Sequence, residues 1–279
     1  MDAFPELNMG SLLLEMGKIT PEDAERVMRL HKERGMRFGD AAKSLGLITE
    51  ADIQQVLSKQ FDYPYLSADE HTYSTELIAA YQPFSAKVEV LRAVRSQLML
   101  HWFGAGRKAL AIASANPGEG VTHLVANLAV VFSQLGERTL LIDANLRQPR
   151  QHEIFRLKEK QGLSDILAGR AGVEVVSKIH SFDNLSVLSA GTLPPNPQEL
   201  VSRPVFRQLI DTFAASYDVI LIDTPSFSSG ADTYAITARI GGVLLAARNS
   251  MTRVSEINTA SDQLKKNGTQ VVGSVLLDF

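Results

Sequence analysis

The chain has no cysteine in its 279 residues. Disulfides and thiolate metal sites are thereby excluded. It also lacks any excess of charge: the net charge is −3, which offers no electrostatic footing for nucleic acid. The histidines (His31, His71, His101, His123, His152, His180) are widely spaced and show no metal-ligand spacing. No apolar run reaches about 18 residues, so no membrane helix is expected. The start, Met1-Asp-Ala-Phe-Pro-Glu6, lacks the basic and apolar regions of a signal peptide. A cytoplasmic location follows as the expectation. What is present is ordinary globular composition, 45% hydrophobic and 21% charged, with length for one large domain and a small one.

The first 66 residues contain an internal repeat offset by 29 positions: Gly10 and Gly39, Gly17 and Gly46, Ile19 and Ile48, His31 and Gln60. Each copy reads as a short helix, a glycine C-cap, a threonine N-cap and a second helix. Thr20-Pro-Glu-Asp23 and Thr49-Glu-Ala-Asp52 each place an acid three residues after threonine, a variant of the capping box. A small helical domain over 1–66 is the expectation. A polar stretch follows and reads as a linker, 67–87. The third region, 88–279, opens with Val88–Leu100, helical by period. Glu89, Arg92 and Arg95 recur there every three residues, so Glu89 can pair with Arg92.

From Lys108 onward apolar strands and amphipathic helices alternate. Strands are expected at Ala109–Ser114, Thr139–Asp143, Leu185–Ser189, Val219–Asp223, Gly242–Ala247 and Val271–Leu276. Helices are expected at Thr122–Leu135, Arg203–Ala215, Asp232–Arg239 and Val254–Lys266. The pattern indicates an α/β fold, a doubly wound parallel sheet with helices on both faces. Ala109–Ser114 runs into Gly118-Glu-Gly-Val-Thr122, the layout of a P-loop, in which backbone N–H groups and a helix N-terminus cradle phosphates. Ser114, Asp143 and Asp223 fall at carboxyl ends of strands, where such sheets bind ligands.

Three motifs in order, Gly118-Glu-Gly-Val-Thr122, Leu141-Ile-Asp-Ala-Asn-Leu-Arg147 and Ile222-Asp-Thr-Pro225, resemble the bacterial tyrosine kinases of capsule and exopolysaccharide assembly. Their pattern is Gly-x-Gly-Lys-Ser/Thr, then Asp-x-Asp-x-Arg, then Asp-Thr-Pro. Glu89, Arg92 and Arg95 match the motif that builds rings in that family. Phe132-Ser-Gln-Leu-Gly136, Pro195-Asn-Pro-Gln-Glu199 and the last residues, 271–279, match as well. The resemblance implies ATP and Mg²⁺, with Gly118, Glu119, Gly120, Val121, Thr122 and His123 around the nucleotide. It implies Thr122, Asp143, Asn145 and Asp223 at the metal, and Asp143, Asp223 and Arg147 in catalysis. It also implies a homo-oligomeric ring, and a membrane-embedded polysaccharide copolymerase that recruits the chain to the inner membrane. The repeat resembles the N-terminal domain of type II secretion and type IV pilus ATPases, which implies cyclic di-GMP at Arg37, Gly39, Gly46 and Gln60. The first copy departs, with Asn8 and His31 where Arg and Gln are expected. The same glycines also read simply as caps, and the apolar positions as core.

Two departures bear on chemistry. Val121 stands where the family carries its P-loop lysine, and loss of one such donor commonly costs about 10²–10³ in rate. Asn145 stands where the second acid of Asp-x-Asp is expected. It keeps a carbonyl acceptor but loses charge that favours Mg²⁺. In addition, no tyrosine cluster occupies the tail, the last tyrosine being Tyr234. His123 is expected to be neutral, because a helix N-terminus disfavours imidazolium. An attenuated kinase is the expectation, with an inactive scaffold and a cyclic di-GMP-responsive regulator as alternatives. A partition-type ATPase ranks last, because that class carries a lysine at the position of Asn116.

Overall fold

The computed structural model describes residues 9–60, 64–67 and 70–278. The chain divides into two compact units, Met1–Pro64 and Tyr65–Phe279. Asn8 of the repeat lies outside the described residues.

The first unit is built from the two threonine-capped helix pairs. Helices span Met9–Glu15, Pro21–Arg34, Phe38–Ser44 and Glu50–Gln60. The Thr20 hydroxyl accepts from Asp23 N at 3.2 Å, and the Asp23 carboxylate accepts from Thr20 N. Thr49 and Asp52 repeat the arrangement. Gly17 and Gly46 turn the chain with φ of 65° and 69°, a conformation that costs glycine little. Leu13, Val27, Ala41, Ala42 and Val56 are fully buried between the helices.

In the second unit, alternate residues of each central strand face opposite ways. Leu110, Ile112, Leu141 and Leu221 enter one core, while Ala111, Leu140, Ile142, Ile220 and Ile222 enter the other. A sheet apolar on both faces needs helices on both. Among the described residues the strands are β1 (Ala109–Ser114), β2 (Thr139–Asp143), β3 (Ser177–Lys178), β4 (Leu185–Leu188), β5 (Val219–Asp223), β6 (Gly242–Arg248) and β7 (Gln270–Leu277). Their order is β3-β4-β2-β5-β1-β6-β7, parallel except for β3 against β4. Helix Val121–Gln134 covers one face with Leu124, Val125, Leu128, Val131 and Phe132. Helix Pro204–Ala214 covers the other with Phe206, Leu209, Ile210 and Phe213. Gly242 is required by packing: a Cβ there would lie 2.0 Å from the Trp102 ring.

The stretch read as a linker is not one. Within 67–87, Tyr73, Leu77, Ala79 and Ala80 are buried in the core of the second unit. The Asn127 side chain accepts from Ala79 N and donates to the Glu76 carbonyl, both at 2.9 Å. Ser74 N donates to Ile154 O at 2.9 Å. Glu70, His71, Thr72 and Thr75 are exposed residues of a segment whose apolar side chains enter the core.

Candidate nucleotide-binding site

The strand order puts β2, β5 and β1 side by side. Their carboxyl ends, and the loops leaving them, therefore share one edge. Asp143 and Asp223 end β2 and β5 as direct register partners, and both are fully buried. Asp143 Oδ1 accepts from Asn145 N at 3.2 Å. Its Oδ2 accepts from Arg150 N at 3.1 Å and Gln151 N at 3.0 Å. Asp223 Oδ2 accepts from Gln151 Nε2 at 2.8 Å, and that amide also donates to the Thr122 carbonyl at 3.1 Å. Asp223 Oδ1 and Gln151 Oε1 are buried with no hydrogen-bond partner.

Two adjacent carboxyls out of water resist ionisation. Burial, then the charge of Asp223, holds the Asp143 carboxyl well above the usual carboxylate range. Burial lifts Asp223 to about 6, against the opposing pull of Gln151, Thr122 and Arg150.

The loop leaving β1 turns through Gly118 and Gly120, with φ of 78° and 87°. Gly120 sits at the N-cap of helix Val121–Gln134 and offers no side-chain cap. The first-turn amides are thus left for an anion. The loop is braced from behind by the buried carboxylate of Glu119. Its Oε2 accepts from Asn116 N at 3.0 Å, and its Oε1 from Thr252 Oγ1 at 2.6 Å. Asn116 Nδ2 donates to Glu256 at 2.8 Å, so the position that partition ATPases fill with lysine serves the brace. In front of the loop lies a cleft of about 830 Å³, within the range that holds a small-molecule ligand. Gly118, Glu119, Gly120, Val121, Thr122, His123, Asn145 and Arg147 all line it, joined by Glu76, Arg150 and Ser226.

An AAA domain model matches residues 107–241. The tyrosine-protein kinase wzc of Salmonella typhimurium is 33% identical over 72% of this chain and 28% of its own length. The putative tyrosine-protein kinase EpsB of Ralstonia solanacearum is 36% identical over 71% of this chain and 26% of its own. The kinase domain of Escherichia coli tyrosine kinase ETK superposes with a TM-score of 0.70 at 29% identity, over 76% of this chain and 84% of that one. The chain belongs to the bacterial tyrosine kinase family. It spans about a quarter to a third of the length of the curated relatives it matches.

Within this family, the domain keeps the P-loop frame and departs inside it. Val121 is only 8% exposed and packs into the core beneath the helix. Asn145 Oδ1 accepts from Gln148 N at 3.1 Å, so its carbonyl shapes the loop. Arg147 lines the cleft, but its guanidinium is clamped in two hydrogen bonds on Asp232. Burial lowers His123 below its ordinary value. A neutral imidazole was expected from the helix terminus; desolvation is the larger cause. Among the described residues no group of three or more His, Asp or Glu side chains gathers as a ready-made metal cage.

The motif on helix Ala86–His101 is split. Arg92 donates to Glu89 at 2.8 Å and to the Pro83 carbonyl at 2.6 Å. Arg95 turns inward and donates to Val131 O at 2.8 Å, which removes it from a continuous charged face. In the first unit, Arg37 and Gln60 are exposed. Gly46 makes a turn, and Gly39 sits inside a helix where a Cβ would lie 3.0 Å from Met9 Sδ. Both glycines thus have structural reasons that need no ligand.

Sequence reasoning missed Gln151, Arg150 and Glu76. Gln151 follows Asp143 by eight residues, opens the short helix Gln151–Ile154 and belongs to no motif. Glu76 lay in the presumed linker. No periodicity or spacing signals either, because their roles come from loops that meet only in the fold.

Proposed function

We propose that this domain binds ATP with magnesium in the Gly118–Thr122 cleft and phosphorylates tyrosine at a much reduced rate. The process is exopolysaccharide or capsule polymerisation, with a membrane-embedded copolymerase as partner and a ring of like subunits as the working assembly. One observation carries the reading: the buried Asp143–Asp223 pair ends two neighbouring strands beside a glycine loop and an uncapped helix N-terminus.

The residues fit the group. Asp223 Oδ1 is a buried oxygen without a partner, as a cation or its water would require. Two carboxylates and the Thr122 hydroxyl suit magnesium, which keeps several waters and needs no all-protein cage. Thr122, Asp143 and Asp223 would hold it, and it would neutralise charge on the phosphates when bound. The loop amides hold the phosphates, and Gln151 keeps Thr122 and Asp223 in register. The tyrosine hydroxyl attacks the γ-phosphorus as the bond to the ADP oxygen breaks. The phenolic proton passes to Asp143. No lysine stabilises the transferring group, so the rate falls by about 10²–10³ against a lysine-bearing loop.

An inactive scaffold is the second reading. It is favoured by the inward packing of Val121 and the clamping of Arg147. Phosphorylation with labelled Mg-ATP separates the two, using wild type, Val121→Lys and Asp143→Ala, with and without the partner's cytoplasmic segment. Slow wild-type transfer that disappears in Asp143→Ala supports the enzyme. Silence in wild type with recovery in Val121→Lys selects the scaffold. Activity unchanged in Asp143→Ala sinks the proposed mechanism.

A further inference from the structure

We propose that Arg150 is the phosphate-binding cation of this cleft, standing in for the absent P-loop lysine. The inference rests on the nucleotide reading above and deepens it.

Four cationic or potentially cationic groups surround the loop, and their partners separate them. His123 is an imidazole and lacks the fork of donors that paired phosphate oxygens match. Arg147 is held by two hydrogen bonds to Asp232, which is 2% exposed. Releasing it would strand a buried carboxylate, a strongly unfavourable exchange. Arg248 donates to the carbonyl of Gly118 at 3.0 Å and does not line the cleft. Arg150 does line it.

Arg150 is also anchored where a phosphate-binding group is needed. Its backbone N–H donates to Asp143 Oδ2 at 3.1 Å. The next N–H, of Gln151, donates to the same oxygen at 3.0 Å, so the turn that carries the guanidinium is fixed against the carboxyl pair at the cleft's edge. Its partners are weak ones: Arg150 Nη2 meets Glu76 Oε1 at 2.8 Å and its Nε lies 3.6 Å from Glu153 Oε2, with all three side chains well exposed. Half-exposed pairs of this kind contribute little and are screened by solvent. A polyphosphate carries more charge and offers the paired oxygens that a guanidinium fork matches. Arg150 therefore passes from Glu76 to the phosphates on binding. Glu76 stays behind, its carbonyl tied to Asn127 and its N–H to Ser74.

The test is calorimetry on the full chain with Mg-ATP and, as a phosphate-free probe, adenosine. Arg150→Ala is expected to weaken Mg-ATP about tenfold or more and leave adenosine unchanged. Glu76→Gln removes the competing charge and is expected to tighten Mg-ATP a few-fold. A merely structural role would not produce this opposite sign. Val121→Lys added to Arg150→Ala is expected to restore Mg-ATP binding. Wild-type affinity for Mg-ATP in Arg150→Ala overturns the inference and spares the nucleotide site. Absence of Mg-ATP binding in wild type overturns both.

Discussion

Replacing Asp223 by asparagine should stabilise the second unit above pH 6 and leave it nearly unchanged near pH 4. The carboxyl is fully buried beside Asp143, and its pKa rises from 3.8 to about 6 on folding. Between those values the folded state binds more protons than the unfolded one, so stability falls as pH rises. Below about 4 both states are protonated and the penalty is absent. Above about 6 it is fully present. A gap of about two units corresponds to about 3 kcal/mol. For a domain of this size that is about 6–12 °C in melting temperature. Asparagine keeps an acceptor for Gln151 Nε2 and carries no charge to desolvate. Trp102, the sole tryptophan, lies in the core of this unit, so its fluorescence during thermal unfolding reports the right transition. Melts of both proteins from pH 4 to pH 8 should diverge through pH 5–6. Curves offset equally at every pH would refute the argument, since the gain would then owe nothing to ionisation. The same variant should lose any melting-temperature rise given by Mg-ATP, because the oxygen proposed for the metal is gone.

Val121→Lys trades a buried apolar side chain for one whose head must reach the cleft; about 1–3 kcal/mol of stability should be lost without ligand. Mg-ATP affinity by calorimetry should rise, and unchanged affinity would mean that the loop does not hold phosphate. Gly242→Ala places a Cβ 2.0 Å from the Trp102 ring and should cost about 1–3 kcal/mol in urea unfolding; a neutral result would show that Trp102 moves freely. Glu89→Ala with Arg92→Ala breaks a pair whose acid is 73% exposed, so stability should barely change. Light scattering should show a smaller mass if the helix builds a ring, and equal masses would count against that interface.

Much of this protein was legible before folding was considered. Helix Val254–Lys266 and strands β1, β2 and β5 coincide with expectation residue for residue, because period and strand-end chemistry are local properties. The threonine caps of the first unit were equally readable, since each is completed within four residues. The short β3, Ser177–Lys178, was not, because two residues carry no period. The polar stretch before Ala86 was misread because composition cannot show a neighbour. Its burial depends on Asn127, which follows Glu76 by 51 residues, accepts from Ala79 N and donates to the Glu76 carbonyl.

The sequence by itself determined the alternation of strands and helices, the glycine loop, the two carboxylates and the missing lysine. These depend on residue type and spacing along one chain. Only the tertiary structure decided that Asp143 and Asp223 are register partners sharing a buried environment, because that requires β2 and β5 to pair across 80 residues. It also decided how the arginines divide. Arg147 is clamped on a buried acid, Arg95 turns inward, and Arg150 rests on an exposed one. Charge is written in the sequence, but its availability is set by the partner and the solvent that the fold places beside it.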